Sequence, residues 1–284
     1  MTSIPRGGLE GSSILVTGGG SGIGLGCAAR FASDGAHVTI CGRSEDRLAA
    51  GVAHIETTAA TGVTVQSIAT DVTRESDVVA AVEAAAAITG RVDGVVACAG
   101  GSETLGPITM MDVEAWRRTI DLNITGTMLT IKHAGAAMAR AGSGSIVGIS
   151  SIASSNVHPW FGAYGPGKAG IDHVCQLAAI ELGASGVRVN AIRPGLVDTE
   201  LVGFVTAGGP VLDDYLECMP ISRVGTVEDI SAMARFLVGP ESTWVTGQLI
   251  NVDGGHLLTR GPSYRSLVEP LYGADALRGI VSSE

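Results

Sequence analysis

Short apolar runs punctuate the chain at regular intervals, and longer Ala-rich stretches with helical spacing fill the gaps. The runs are SILVT (13–17), HVTIC (37–41), TVQSI (64–68), GVVAC (94–98), SIVGIS (145–150), VRVNAI (187–192) and QLINV (248–252). Most are apolar throughout instead of alternating, the pattern of strands buried on both faces. Helices are predicted near 23–33, 45–59, 75–89, 112–140, 163–183 and 227–238. Strand–helix–strand alternation predicts an α/β fold, with a parallel sheet, right-handed crossovers and helices on both faces.

No linker divides the chain and no repeat at solenoid period is present, so residues 1–284 read as one domain. The first residues, MTSIPRGGLEG, read as a loose extension (1–10) without a signal-peptide apolar region, so a cytoplasmic location is expected. Residues 199–226 interrupt the rhythm with Gly208, Gly209, Pro210 and Pro220, which predicts an insertion or lid over a pocket. The tail 256–284 carries Leu267, Val268, Leu271, Tyr272, Leu277 and Ile280, too apolar for plain disorder, and is expected to pack on this chain or on a neighbouring subunit.

Composition narrows the partners. A formal net charge of -10 argues against a nucleic-acid partner, while leaving room for a local basic pocket that takes one small phosphate. No apolar run reaches the roughly 18–20 residues that span a bilayer, so no membrane partner is expected. Cys27, Cys41, Cys98, Cys175 and Cys218 form no C-x-x-C pair and read as buried free thiols. The histidines show no metal-ligand spacing, so no metal is expected.

Candidate chemistry begins after the first strand with TGGGSGIG, Thr17 to Gly24. A Gly-rich turn between strand and helix lets backbone N–H groups approach a pyrophosphate, and the helix dipole favours its charge. At 164–168 stands YGPGK. If a helix starts near 161–164, Pro166 falls in its first turn, where Pro costs little. Tyr164 and Lys168 then share one face, about 6 Å apart along the axis. Gly165 and Gly167 are expected to keep that turn slim and leave room for a ring and a substrate.

These stretches, with Asp71–Val72, CAGG at 98–101, LNITG at 122–126, ISS at 149–151, RPG at 193–195 and VDGG at 252–255, resemble in order and spacing the short-chain dehydrogenase/reductase family over roughly residues 10–255. The resemblance implies a doubly wound Rossmann fold with a seven-stranded sheet of order 3-2-1-4-5-6-7, assembled as a homotetramer. It implies a nicotinamide cofactor held by Gly18, Gly20, Ser21, Gly22, Ile23 and Gly24 at the turn. Asp71 and Val72 would lie at the adenine, Ala99 and Gly100 beyond the fourth strand, and Pro194, Gly195, Val197 and Thr199 at the nicotinamide. Gly42 stands where NAD-type members carry Asp, and Arg43 follows with a fork of donors suited to phosphate. NADP(H) is therefore expected over NAD(H). Glu45 and Asp46 are discounted as acids of a first helical turn. Cys98 replaces the family's usual Asn and reads as a packed small residue.

By the same resemblance Tyr164 is the acid/base, Lys168 lowers its pKa and grips the ribose, Ser151 polarises the carbonyl and Asn123 relays protons. Bringing a phenol from about 10 to work near neutrality asks for roughly 4 kcal/mol of preferential phenolate stabilisation, which the Lys168 ammonium and the positive ring of oxidised nicotinamide are expected to supply together in a dry site. The expected reaction interconverts a carbonyl and a secondary alcohol on a partly apolar small molecule. His158, Trp160, Phe161, Leu201, Phe204 and Leu212 are expected on the substrate side. A 3-oxoacyl thioester reductase, with Arg117, Arg118 and Lys132 as a basic dock, an NAD-dependent alcohol or steroid dehydrogenase, and a non-catalytic cofactor-binding sensor stand as alternatives.

Overall fold

The computed structural model describes residues 8–281. Seven parallel strands form one sheet of order β3-β2-β1-β4-β5-β6-β7. They are β1 Ser13–Thr17, β2 His37–Gly42, β3 Val65–Ala69, β4 Gly94–Ala97, β5 Gly144–Ile149, β6 Val187–Pro194 and β7 Leu249–Val252. The helices are α1 Gly22–Ser33, α2 Glu45–Glu56, α3 Glu75–Thr89, α4 Val113–Ile120, α5 Gly126–Ala141, α6 Tyr164–Leu182, α7 Gly203–Thr206, α8 Pro210–Cys218, α9 Val227–Val238 and α10 Arg265–Tyr272.

The central strands are apolar on both faces because both faces are covered. Strand side chains alternate, and here each alternation enters a different core. Ile14 and Val16 of β1 pack with Phe31 of α1, Ile55 of α2 and Ile230 of α9 in one cluster. Leu15 packs with Ala81 of α3, Met138 of α5 and Ile171 of α6 in the other. Strand order reverses between β2-β1 and β4-β5, which opens a crevice at the carboxyl ends of β1 and β4.

The helix expected over 112–140 forms as one run, α4 and α5 continuous through a π-turn at Asp121–Thr125. One expectation is revised. The N-terminal extension is not loose throughout: Leu9 is buried in the α1-side core, and its N–H donates to the Asp34 carbonyl at 2.8 Å. Positions 1–7 and 282–284 lie outside the described residues.

The tail packs on this chain. Tyr264 and Val268 join Val205, Val211, Tyr215 and Met219 of the 199–226 segment in a third apolar cluster at the carboxyl end of the sheet. That segment is folded, not open loop: α7 and α8 carry its apolar side chains down onto the tail. Val268 is fully buried there. Val268→Asp would place an unpaired charge in this cluster at a cost of about 3 kcal/mol or more. The expected outcome is selective loosening of residues 199–226, read as faster proteolysis of that segment while the sheet's circular dichroism holds. Uniform cleavage across the chain would contradict an independent lid–tail unit.

Candidate active site

At the carboxyl end of the sheet a cleft of about 830 Å³ runs from the Gly18–Ile23 turn to the lid, and a second hollow of about 520 Å³ adjoins it. The turn follows β1 because the chain must bend back at once into α1. Gly18 does this with φ of 67°, a region open to glycine at little cost. A Cβ there would lie 2.9 Å from the Ala99 backbone nitrogen. At Gly24 it would lie 2.3 Å from the Gly18 carbonyl oxygen, so only glycine lets α1 start this close to the turn. Thr17 Oγ1 accepts from the Cys98 and Ala99 N–H groups, both at 3.1 Å, and ties β1 to the loop after β4.

The expected cofactor residues fall along this groove. Ser21, Gly22, Ile23, Ala99, Gly100, Pro194, Gly195, Val197 and Thr199 line the cleft with Gly18. Gly20, Asp71 and Val72 line the adjoining hollow, and Arg43 lines both. Gly24 lines neither; its role is packing. Asp71 makes a local turn: its Oδ1 accepts from the Thr73 N–H at 3.0 Å and the Thr73 hydroxyl at 2.7 Å. Burial would raise its carboxyl, but the Thr73 hydrogen bonds and the nearby Arg43 and Arg74 hold it below the usual range. Glu45 and Asp46 sit in the first turn of α2 and line neither space.

One cation escaped the sequence reading. Arg47 lines both spaces, and its guanidinium lies 3.3 Å from the Glu200 carboxylate at the start of the lid. Its only sequence signal was a position one helical turn after Arg43.

Tyr164 opens α6, with Pro166 inside the first turn as expected. The flanking glycines make room for protein, not for ligand. A Cβ at Gly165 would lie 2.9 Å from the Ala153 carbonyl oxygen, and one at Gly167 3.3 Å from Asn123 Cβ. The slim turn therefore draws the Ser151 loop and the π-turn against the helix that carries Tyr164 and Lys168.

Asn123 is fully buried in that π-turn. Its Nδ2 donates to the Gly101 and Thr119 carbonyls, each at 2.7 Å, and its Oδ1 accepts from the Gly101 N–H at 3.4 Å. It thus braces the loop after β4, where Cys98 offers no amide. At Gly100 a Cβ would meet Asn123 Oδ1 at 2.7 Å and Lys168 Nζ at 3.0 Å, so the loop, the amide and the ammonium converge on one glycine. Burial pushes the Cys98 thiol up to about 11, so it is a packed thiol and not a reactive thiolate.

Ser150 and Ser151 separate as strand alternation predicts. Ser150 donates to the Lys168 carbonyl at 3.0 Å, while Ser151 Oγ accepts from the Ala153 N–H at 3.1 Å and hydrogen-bonds the Tyr164 phenol.

Tyr164 stands with its phenol raised above 10, because burial outweighs the Ser151 hydrogen bond. Lys168 Nζ lies 5.6 Å from the phenol ring centre and donates to the Ile149 carbonyl at 2.9 Å. Burial lowers Lys168 to about 8, partly offset by the neighbouring Cys98 and Asp172. The protein's own groups therefore keep the phenol protonated at neutral pH.

On the substrate side Phe161, His158, Leu201 and Phe204 line the cleft as expected. Trp160 and Leu212 do not; they pack behind it on the lid–tail cluster. Tyr215 and Tyr264 line the cleft too, and sequence reasoning named neither.

The groove matches the cradle that a dinucleotide needs: turn glycines that admit no Cβ, a helix N-terminus, cations at the far end and a carboxylate beside them. Comparison with known proteins decides the family. The profile described as Enoyl-(Acyl carrier protein) reductase matches residues 18–256. The cis-4-hydroxycyclohexanecarboxylate dehydrogenase of Sinomonas cyclohexanicum is 38% identical over 242 residues, 85% of this chain and 95% of its own. The chain belongs to the short-chain dehydrogenase/reductase family. A short-chain dehydrogenase/reductase structure from Mycobacterium ulcerans superposes with a TM-score of 0.94 at 54% identity, covering 96% of this chain and 99% of that one. A 7α-hydroxysteroid dehydrogenase structure gives 0.81 at 31% identity, covering 87% and 94%. As a member of the family, the protein is an NAD(P)-dependent oxidoreductase acting on CH–OH and C=O groups.

The buried ammonium carries a stability signature. Lys168 is depressed in the folded state, so its burial costs most below about pH 8, where folded and unfolded chains are both protonated. The cost fades as pH rises toward the ordinary lysine value, because the folded chain has already shed the proton. Lys168→Met is expected to gain stability relative to wild type near neutrality. That gain should shrink by about 2 kcal/mol between about pH 7 and about pH 10. Urea unfolding at the two pH values measures it, and a difference independent of pH would contradict a buried charged lysine.

Proposed function

We propose that this protein is an NADP(H)-preferring reductase of ketones, or dehydrogenase of secondary alcohols, with Tyr164 as the acid/base. The observation that carries the reading is the meeting of Ser151, Tyr164, Lys168 and the Asn123 brace at the carboxyl ends of β4 and β5, in the same groove whose far end holds Arg43. A bound nicotinamide supplies or accepts the hydride. The chain's own groups handle the oxygen. A carbonyl oxygen entering between Ser151 and Tyr164 takes a hydrogen bond from each, which stabilises the charge that builds there.

Burial keeps the phenol protonated, the state required of the acid in reduction. Lys168 uses one of its three donors on Ile149 and keeps two for the cleft. Asn123 acts on position: it holds Gly100 and Gly101 against the lysine.

Cofactor preference rests on Arg43, with Arg47 beside it and Gly42 in place of an acid. Permanent planar cations at the ribose end favour an extra phosphate. The 3-oxoacyl thioester alternative stands beside this reading: Arg117, Arg118 and Lys132 lie exposed in pairs with Glu114, Glu103 and Glu75, and exposed pairs of this kind leave the cations free to meet a partner.

Fluorescence titration tests the cofactor. Arg43→Ala is expected to weaken NADPH about tenfold or more while NADH changes by less than about threefold; equal losses would overturn the preference. Tyr164→Phe is expected to cut kcat about 10²–10⁴-fold in ketone reduction with NADPH affinity retained. Undiminished turnover would remove Tyr164 from the chemistry.

A further inference from the structure

The cleft contains a polar pair that the reaction at Tyr164 leaves unused. Tyr215 comes from α8 of the lid, and Tyr264 from the tail just before α10. Their hydroxyls meet at 2.9 Å, and both residues line the cleft. Both are nearly fully buried, at 4% and 1% exposure. Two hydroxyls carry two protons, and the bond between them uses one. Neither phenol has another hydrogen-bond partner among the described residues, so one O–H remains to donate. An apolar wall built only for packing gains nothing from a spare buried donor, since leaving one unmade is costly.

The surroundings define what that donor would meet. Phe161 packs against both tyrosines, its ring centre 4.8 Å from that of Tyr164 and 4.8 Å from that of Tyr264. The ring centres of Tyr164 and Tyr264 therefore lie less than about 10 Å apart, a span that one compact ligand covers. The walls around them are apolar, with Leu105, Ile152 and Phe204. Among the described residues no lysine or arginine lines this end: Arg43 and Arg47 flank the turn, and Lys168 is bound at Ile149. His158 stacks on Phe161 at 5.9 Å and is held neutral, as burial lowers it to about 4. A carboxylate placed here would find no counter-charge, whereas an uncharged oxygen would find one donor.

Resting on the reading of Tyr164 as the catalytic acid, we propose that the Tyr215–Tyr264 pair is a second recognition point that donates one hydrogen bond to an uncharged oxygen set across a compact cyclic skeleton from the reacting carbon. The substrate class is a neutral ring ketone or ring alcohol bearing a second oxygen.

The test compares 4-hydroxycyclohexanone, cyclohexanone and 4-oxocyclohexanecarboxylate as substrates with NADPH. The wild type is expected to prefer 4-hydroxycyclohexanone over each of the others by about tenfold or more in kcat/KM. The double variant Tyr215→Phe/Tyr264→Phe keeps both ring shapes and removes both hydroxyls. It is expected to bring the hydroxylated-to-plain ratio close to one. Each single variant leaves one free donor and should retain part of the preference. A ratio unchanged in the double variant, a wild-type ratio at or below one, or a preference for the carboxylate would overturn the proposal.

Should no ketone consume NADPH, the hydride-transfer reading fails, and binding then decides the pair on its own. Cyclohexane-1,4-diol should raise the Tm of wild type with NADP more than cyclohexanol does, and the difference should vanish in the double variant. Equal shifts for both ligands in wild type would reject the recognition point.

Discussion

A lysine ammonium held almost out of water, 4% exposed, is the constraint around which the functional end of this protein is built. Placing a charge in such a site costs several kcal/mol unless partners are fixed in advance. Among the described residues the lysine's one hydrogen-bond acceptor is the Ile149 carbonyl at the end of β5. Other groups are set by the need to approach that lysine without crowding it. Gly100 has no Cβ because Lys168 Nζ and Asn123 Oδ1 occupy its place. The π-turn widens the α4–α5 helix at the point where Asn123 must reach across to Gly101. Gly167 allows Asn123 to come alongside α6. These are local departures from regular structure, and they cluster where function asks for them, as natural sequences do when they give up stability for a site.

The same burial sets the direction in which the protein alone biases the chemistry. A dry cleft raises the phenol and lowers the ammonium, so both groups are moved toward their neutral forms. Reduction begins from a neutral phenol, whereas oxidation needs an anion. Burial favours the first of these forms, and a positive charge brought beside the phenol by an oxidised nicotinamide would favour the second. A chain of net charge -10 nevertheless gathers Arg43, Arg47 and Lys168 along one groove, so local potential, not total charge, governs what enters.

Much of this was legible in the sequence because it depends on short-range patterns. The seven strands follow from apolar runs, their double burial from the lack of alternation, and the turn from its glycines. Tyr164 and Lys168 are one helical turn apart, and Ser151 keeps a fixed distance from Tyr164. Hidden features depend on contacts between distant segments. The Tyr215–Tyr264 pair joins residues 49 apart, and Arg47 meets Glu200 across the groove. No periodicity marks such partners. The glycines flanking Pro166 were noticed but given the wrong neighbour, since what fills the space at Gly165 is Ala153, from a different loop. The electrostatics are hidden for a related reason: sequence spacing gives the proximity of Tyr164 and Lys168 but not the burial that raises the phenol and lowers the ammonium.

The lid is attached unequally on its two sides. Toward the tail it is joined by a continuous apolar cluster with Val205, Val211, Tyr215 and Val268 all buried. Toward the cofactor groove the contact is Arg47 with Glu200, whose side chains are 64% and 75% exposed. Exposed pairs of this kind contribute about 0–1 kcal/mol, while burying even one Val or Leu side chain contributes roughly 1.5–3 kcal/mol. Any opening of the lid is therefore easiest at the groove and costliest at the tail. Tyr215 and Tyr264 both lie in the strong attachment, where each hydrogen-bonds the other. A recognition point built there stays in register with Tyr164 while the entrance near Glu200 admits ligand, which is the arrangement a selective site on a movable cover requires.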